Sequence, residues 1–308
     1  MAKRKKDRPT VSVVGAGRLG TALALALASC GYSLEAVVAR RLTRAQKAAR
    51  LFTRRPLALS GAQLAKLPES ELILITTPDD VIALIAGRVA ACQKDVRPGR
   101  TVLHTSGALS SEVLGPLAAL GFHIGSLHPL VSVSDSLSGA TNLREAFYCL
   151  EGNRAALRVA RAVVRDLGGQ SFSIDSRNKA LYHAAAVVAS GHMVALFDIA
   201  VEMLGRCGLD QKKAHRVLMP LVESTVKNLL SSDPARALTG TFARGDLATV
   251  QRHLEALIAN GLSDALRAYK LLGHRSLELA KRNGVNAALV KKIVNALDQS
   301  QELSGELE

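Results

Sequence analysis

The chain has 308 residues, of which 48% are hydrophobic and 21% charged, so about two globular domains with sizeable cores are expected. Its formal net charge is +14, but the basic residues are spread along the chain, and aromatic residues make up only 3%. A nucleic-acid partner is therefore not expected, because such a partner requires a concentrated basic surface.

The N-terminal segment 1–9 is rich in Lys and Arg and is expected to be a disordered basic arm. It leads directly into a strand and a glycine loop rather than into a signal peptide. The cysteines at 30, 92, 149 and 207 form neither a CxxC pair nor a ligand cluster. These features predict reduced thiols, no metal site and a cytoplasmic protein.

Strand-like and helix-like segments alternate through the first half of the chain. Predicted strands cover 10–14, 34–40, 72–77, 101–106, 122–129, 146–152 and 171–174. Helices are predicted at 19–30, 43–52, 79–92, 110–120 and in a segment that ends at 167. This alternation predicts a doubly wound parallel sheet, a Rossmann domain, over residues 10–175.

Helical periodicity replaces the strands after residue 175. Helices are predicted at 178–207, 211–230, 247–260, 264–283 and 286–297, so residues 176–308 form an all-helical domain. The longest uncharged stretch, 180–197, contains Tyr182, His183 and His192. It is interpreted as a helix buried on nearly all sides, too polar to span a membrane.

The segment GAGRLG, residues 15–20, follows the first predicted strand and opens the first predicted helix. Gly15 allows a tight turn, Gly17 a close approach to pyrophosphate, and Gly20 close packing of the helix on the strand. The helix N-terminus offers free N–H groups to the phosphates. The predicted dinucleotide contacts are therefore Gly15, Ala16, Gly17, Arg18, Leu19 and Gly20.

The end of the second predicted strand carries Arg40 and Arg41 instead of an acidic residue, and Arg44 follows. An arginine here can pair with a 2′-phosphate, so NADP(H) is favoured over NAD(H). Thr76, Thr77 and Pro78 lie at the same edge of the sheet and complete the predicted cofactor site. Asp79 and Asp80 after them are interpreted as helix caps.

Polar residues also follow the next two strands. His104 and Ser106 are predicted to bind substrate, and His128 to take part in catalysis. Lys179 and His183 are four residues apart on one helix face and are the other catalytic candidates. The alternative is that each histidine is structural and that Lys179 is solvated.

A polar turn with two glycines interrupts the helices of the second half. Thr239 and Arg244 in this turn are predicted to bind the substrate, since a guanidinium pairs well with carboxylate or phosphate. Asp246 is predicted to cap the helix that begins at residue 247.

Several segments resemble the Rossmann-like and DUF2520 domain-containing proteins: VVGAGRLGTALA, TTPDDVI, VLHTSGALSSEVL, GSLHPL, KALYHAAAVVAS and ALTGTFARGDLATVQRHLEAL. The architecture is similar to that of pyrroline-5-carboxylate reductase, ketopantoate reductase and the 6-phosphogluconate dehydrogenases. The resemblance implies a helical domain that forms a homodimer and one wall of the substrate site. The chain departs from the family at Gly191, where an asparagine is usual.

These observations predict an NADP-dependent oxidoreductase that transfers a hydride to or from a small polar, anionic substrate at the interdomain cleft. The alternative is a non-catalytic NADP(H)-binding sensor or scaffold, which Gly191 and the lack of a decisive catalytic dyad would allow. The expected partners are a small molecule and a second copy of the chain, with no membrane and no nucleic acid.

Overall fold

The structure, a computed structural model, describes residues 8–93, 97 and 99–300. Most of the basic arm predicted at 1–9 therefore lies outside the described residues. The chain divides into two compact units, Met1–Ser190 and Gly191–Glu308. The predicted boundary at 175/176 marks the end of the strands, whereas the first unit extends one helix further.

The first unit contains one eight-stranded sheet with the order β3-β2-β1-β4-β5-β6-β7-β8. The strands are β1 Val11–Val14, β2 Leu34–Ala39, β3 Leu57–Ser60, β4 Leu72–Ile75, β5 Thr101–His104, β6 His123–Pro129, β7 Phe147–Gly152 and β8 Gln170–Ser173. Neighbouring strands from β3 to β6 pair in parallel. The sheet order reverses at β1, so the carboxyl ends of β1 and β4 flank the crevice where such sheets bind ligands.

The last two strands depart from the predicted all-parallel sheet. β7 pairs with β6 antiparallel and with β8 parallel, so both run against the other strands. The start of β7 therefore lies at the carboxyl edge, where Cys149 is in register with His128. A short strand, β3, was not predicted at all.

Seven helices are described in the first unit: α1 Arg18–Ser29, α2 Leu42–Ala49, α3 Asp79–Cys92, α4 Gly115–Ala118, α5 Ser136–Asn142, α6 Arg154–Asp166 and α7 Lys179–Ala189. Apolar residues of α1 and α6 form a core with one face of the sheet, and those of α3 form a core with the other. Cover on both faces explains the continuous apolar runs of β1, β4 and β5.

The second unit is all-helical over its described residues, as predicted. Its helices are α8 Gly191–Arg206, α9 Gln211–Ser231, α10 Pro234–Ala237, α11 Gly240–Arg244, α12 Leu247–Ala259, α13 Ser263–Arg282 and α14 Ala287–Gln299. Its core is formed mainly by α12, α13 and α14. The helix predicted over 178–207 is interrupted at Ser190, between α7 and α8.

The prediction that 180–197 is buried on nearly all sides is wrong for the single chain. Leu181, Val188 and Val194 are 73%, 62% and 66% exposed, and Leu221 and Leu230 of α9 are 63% and 82% exposed. Among the described residues, one helical segment, Ser176–Arg206, is long and apolar enough to cross a membrane by length and composition alone. By composition, therefore, the stretch 180–197 is not too polar for a span, contrary to the prediction.

Candidate functional site

The glycine loop between β1 and α1 packs tightly against the end of β4. A Cβ on Gly15, whose φ is +125°, would lie 2.6 Å from the Thr76 carbonyl carbon. A Cβ on Gly20 would overlap the Gly15 carbonyl oxygen and Thr76 Oγ1. Thr76 Oγ1 donates a hydrogen bond of 2.7 Å to that same carbonyl oxygen. Gly15 and Gly20 are therefore required by packing within the protein.

Gly17 differs from the other two glycines because space beyond it is open. A Cβ there would meet only the Gly15 carbonyl oxygen, at 3.9 Å. Gly17 is also the N-cap residue of α1, which has no side-chain cap and no acidic residue in its first turn. The N–H groups of this helix end can thus bind an anion, as a dinucleotide pyrophosphate requires.

Arginines lie beside this loop. Arg40 and Arg41 are exposed directly after β2, and Arg41 is the N-cap residue of α2. Arg44 Nε donates to the Ala16 carbonyl oxygen at 3.4 Å. Thr77 Oγ1 is buried without a hydrogen-bond partner among the described residues. The residues present therefore fit a dinucleotide with a phosphorylated ribose.

Asp79 and Asp80 do not cap a helix, so their interpretation as caps is wrong. Both lie in the first turn of α3, whose N-cap is Pro78. Asp79 Oδ2 instead accepts a 2.7 Å hydrogen bond from Ser106 Oγ, which in turn accepts from the N–H groups of Ala108 and Leu109. Ser106 thus organises the loop after β5, and its hydroxyl is fully used within the protein.

His104, the last residue of β5, is hydrogen-bonded to the same loop. It is fully buried; its Nδ1 accepts from Ser106 N–H at 3.1 Å, and its Nε2 donates to the Ser110 carbonyl oxygen at 3.2 Å. Burial, assisted by the positive charge of Lys179, lowers the pKa of His104 to about 4. The polar side-chain atoms of His104 and Ser106 are occupied by protein contacts, and substrate binding by these residues stays a prediction.

Lys179, the first residue of α7, is fully buried rather than solvated. Its Nζ donates to Ser126 Oγ at 2.7 Å and to the Ser106 carbonyl oxygen at 3.2 Å. Burial lowers the pKa of Lys179, while the charges of Cys149 and Glu151 oppose this shift. The lysine therefore joins α7 to the carboxyl ends of β5 and β6.

Three rings meet next to this lysine. His128 Nδ1 lies 2.7 Å from the Tyr182 hydroxyl, and the His128 ring makes edge contacts with the rings of Tyr182 and His183, both at 5.5 Å between centroids. Burial lowers the pKa of His128 to about 4, and the charges of His183 and Lys179 act in the same direction. The structure thus brings together the catalytic candidates His128, Lys179 and His183.

Tyr182 and Gly107 are site residues that sequence reasoning did not select. A Cβ on Gly107 would lie 2.5 Å from His183 Nδ1 and 2.9 Å from His128 Nε2, so only glycine leaves room for both imidazoles. His183 Nδ1 is buried without a partner among the described residues. The position of Tyr182 next to Lys179 and His183 on α7 was the available signal for its role.

Thr239 and Arg244 belong to the second unit. Thr239 is the N-cap residue of α11 but makes no side-chain cap, and Arg244 is exposed at the end of that helix. Asp246 accepts hydrogen bonds from the backbone N–H and the Oγ1 of Thr249, which confirms it as the cap of α12. Substrate binding by Thr239 and Arg244 stays a prediction.

Two family models match this chain, one in its N-terminal half and one in its C-terminal half. Residues 2–129 match the Rossmann-like domain model, and residues 146–276 match a domain of unknown function, DUF2520. The chain is a Rossmann-like and DUF2520 domain-containing protein. The resemblance predicted from the sequence segments is thereby confirmed. No curated protein matches the sequence.

Solved structures with a similar fold include those of oxidoreductases. A supposed NADP oxidoreductase from Bacteroides fragilis has a TM-score of 0.70 at 21% identity, covering 88% of this chain and 98% of that protein. A Thermotoga maritima protein has a TM-score of 0.62 at 22% identity, covering 94% and 98%. A reductive aminase from Aspergillus terreus, solved with NADPH and ethyl-5-oxohexanoate, has a TM-score of 0.54 at 15% identity, covering 95% and 93%. At these identities the similarity shows a shared fold.

We expect Gly107→Ala to lower the free energy of unfolding by about 1–3 kcal/mol, because the methyl group would displace His128 and His183. Urea denaturation would measure the change. The matched control is Gly87→Ala within α3, where a Cβ has nothing within 4 Å and should stabilise the helix by about 0.5–1 kcal/mol. Equal stability of Gly107→Ala and wild type would show that the two imidazoles do not pack against this glycine.

Acid should destabilise the first unit through His104. Its pKa is about 4 in the folded chain against an ordinary value of 6.5, so the unfolded chain binds more protons between these values. Stability therefore falls as the pH is lowered through that window, by about 2 kcal/mol for this residue between pH 7.5 and 5. Urea midpoints at the two pH values would measure the fall, which should be smaller in His104→Gln. An identical pH dependence in both proteins would contradict the assignment.

Proposed function

We propose that this protein is an NADP-dependent oxidoreductase that transfers a hydride between the nicotinamide and a small polar, anionic substrate. One observation carries the proposal. The open helix end at Gly17 and the cluster of His128, Lys179 and His183 lie at the same carboxyl edge of one sheet. Ligands of doubly wound sheets bind along this edge, so a cofactor held by the loop can extend toward the cluster.

The arginines support NADP as the cofactor. Arg40 and Arg41 occupy the position where an acidic residue would accept a hydrogen bond from an unmodified ribose. Their guanidinium groups can pair with a 2′-phosphate in a forked geometry. The fold shared with a reductive aminase that binds NADPH is consistent with this choice.

The cofactor, when bound, supplies or accepts the hydride, and side chains of the protein must donate or accept the accompanying proton. Lys179 is the cation of the cluster, and its lowered pKa makes proton release easier near neutral pH. His128 is neutral at pH 7 because its pKa is about 4, so it acts as a neutral hydrogen-bonding group rather than as an imidazolium. His183 extends the polar surface next to it. Thr239 and Arg244 are retained, on sequence grounds, as candidates for binding the anionic group.

A non-catalytic NADP(H)-binding sensor is the second candidate. Two observations favour it: the side chains of His104 and Ser106 are occupied by protein contacts, and Gly191 replaces the family asparagine. The two candidates share a cofactor and differ only in turnover.

The first experiment tests the cofactor. NADPH at about 100 times its dissociation constant should stabilise the wild type by about 2.7 kcal/mol, and NADH by less, as measured by thermal unfolding. Gly17→Ala should unfold at the wild-type temperature without nucleotide, since its Cβ has room, but lose the NADPH response. Replacing both Arg40 and Arg41 by Ala should weaken NADPH at least about tenfold and leave NADH unchanged.

The matched control removes two other exposed arginines, Arg158 and Arg161 of α6, and should bind NADPH like the wild type. The absence of any nucleotide response in the wild type would refute the proposal.

For turnover, NADPH oxidation should be followed with small carbonyl and imine substrates that carry a carboxylate. Lys179→Met and His183→Ala should each lower kcat by about 100-fold. Tight NADPH binding without turnover across this panel would favour the sensor.

We also propose that the protein is a homodimer formed through its helical part. Exposed leucines and valines extend along α8 and α9 of the second unit, including Val194, Leu221 and Leu230. An apolar surface of this extent is unusual on a monomer and is typical of an interface. The family resemblance gives the second copy as its occupant.

The double variant Val194→Glu and Leu221→Glu should shift the protein from dimer to monomer in analytical ultracentrifugation, because it places charges in the apolar surface. Leu84→Glu is the matched control, since Leu84 is 60% exposed on α3 of the first unit. A wild-type protein that is monomeric in solution, or that partitions into membranes during fractionation, would refute this proposal.

A further inference from the structure

His128 and Tyr182 form a directly hydrogen-bonded pair. The contact joins His128 Nδ1 to the Tyr182 hydroxyl at 2.7 Å, and the two rings stand at 87° to each other. The Tyr182 ring also makes an edge contact with Phe172, at 5.8 Å between ring centroids. The hydroxyl is therefore held on one nitrogen of His128 by packing as well as by the hydrogen bond.

The direction of this hydrogen bond follows from the chemistry of the two groups. A phenol O–H is a stronger donor than the N–H of a neutral imidazole, and an imidazole nitrogen is a stronger acceptor than a phenol oxygen. The Tyr182 hydroxyl therefore donates its proton to His128 Nδ1.

A neutral imidazole carries one proton, and the partner of one nitrogen decides where that proton lies. If Nδ1 accepts from Tyr182, the proton of His128 must be on Nε2. Nε2 is the nitrogen that faces Gly107, on the side where His128 contacts His183. The polar N–H of His128 is thus directed toward the other candidate residues rather than into the sheet.

We propose that Tyr182 is a positioning residue that fixes the Nε2–H tautomer of His128. His128 then presents a neutral N–H donor, which can polarise a carbonyl or imine of the substrate while the hydride is transferred. This consequence for turnover rests on the proposed oxidoreductase function. The tautomer itself does not, because it is a property of the protein without substrate.

The decisive measurement is nitrogen NMR of protein labelled with ¹⁵N-histidine, at pH 7.5, where His128 is neutral. The His128 signals can be assigned by their loss in His128→Gln. In the wild type, Nδ1 should show the shift of an unprotonated nitrogen and Nε2 that of a protonated one. In Tyr182→Phe, which keeps the ring but removes the hydroxyl, both shifts should move toward a mixture of tautomers.

The chain provides an internal reference for this measurement. His253 Nδ1 lies 2.8 Å from the Tyr269 hydroxyl in the second unit, with the rings again nearly perpendicular, at 85°. Its nitrogen shifts should be unchanged in Tyr182→Phe. A protonated Nδ1 in wild-type His128, or a His128 tautomer that is the same with and without the hydroxyl, would overturn the proposal whatever the protein catalyses.

The kinetic arm connects the tautomer to turnover. Tyr182→Phe should lower kcat about tenfold or more with little change in KM. The reason is that a loss of the Nε2–H tautomer weakens the hydrogen bond that His128 donates to the reacting carbonyl or imine. Tyr32→Phe is the matched control, because it removes a hydroxyl bonded to Asp166, just before β2 at the opposite edge of the sheet. A fixed tautomer that is lost in Tyr182→Phe without any loss of kcat would confine the role of Tyr182 to structure and overturn the catalytic part.

Discussion

The arrangement of the site depends on one fully buried lysine. Lys179 is fully enclosed, and its contacts within hydrogen-bonding distance are a hydroxyl and a carbonyl oxygen, those of Ser126 and Ser106. Burial of a charge without a carboxylate in contact is costly, so these hydrogen bonds must be kept. Because Lys179 is the first residue of α7, they determine where Tyr182 and His183 lie relative to the sheet.

Burial also decides the protonation of the histidines around this lysine. It lowers the pKa of His104 and of His128 to about 4, and the positive charge of Lys179 acts in the same direction, so both rings are neutral at pH 7. His104 uses both ring nitrogens to hold the loop after β5, whereas His128 has only Nδ1 engaged, by Tyr182. Similar residues at neighbouring strand ends therefore differ in how many ring nitrogens form hydrogen bonds within the protein.

Local signals allowed much of the fold to be predicted. Continuous apolar runs revealed the buried parallel strands, and the spacing of Gly15, Gly17 and Gly20 located the cofactor loop. Features that depend on distant partners were not accessible. The reversed direction of β7 is not encoded in any local sequence pattern. β3 is short and partly exposed, so it lacks a continuous buried apolar run. The hydrogen bond between Asp79 and Ser106 joins residues 27 positions apart. The exposure of α8 was not predicted because an apolar helix has the same sequence pattern whether its own chain covers it or leaves it exposed.

The order of the strands also has a consequence for the synthesis of the chain. β1 pairs with β2 on one side and with β4 on the other, so its ladders join Val11 to both Leu34 and Leu72. The glycine loop leaves the ribosome before its packing partner Thr76, which follows only after β4. From β4 to β8, each strand instead pairs with the next one in sequence. β1 must therefore wait for β4, while the strands after β4 can add to the sheet one after another as they emerge.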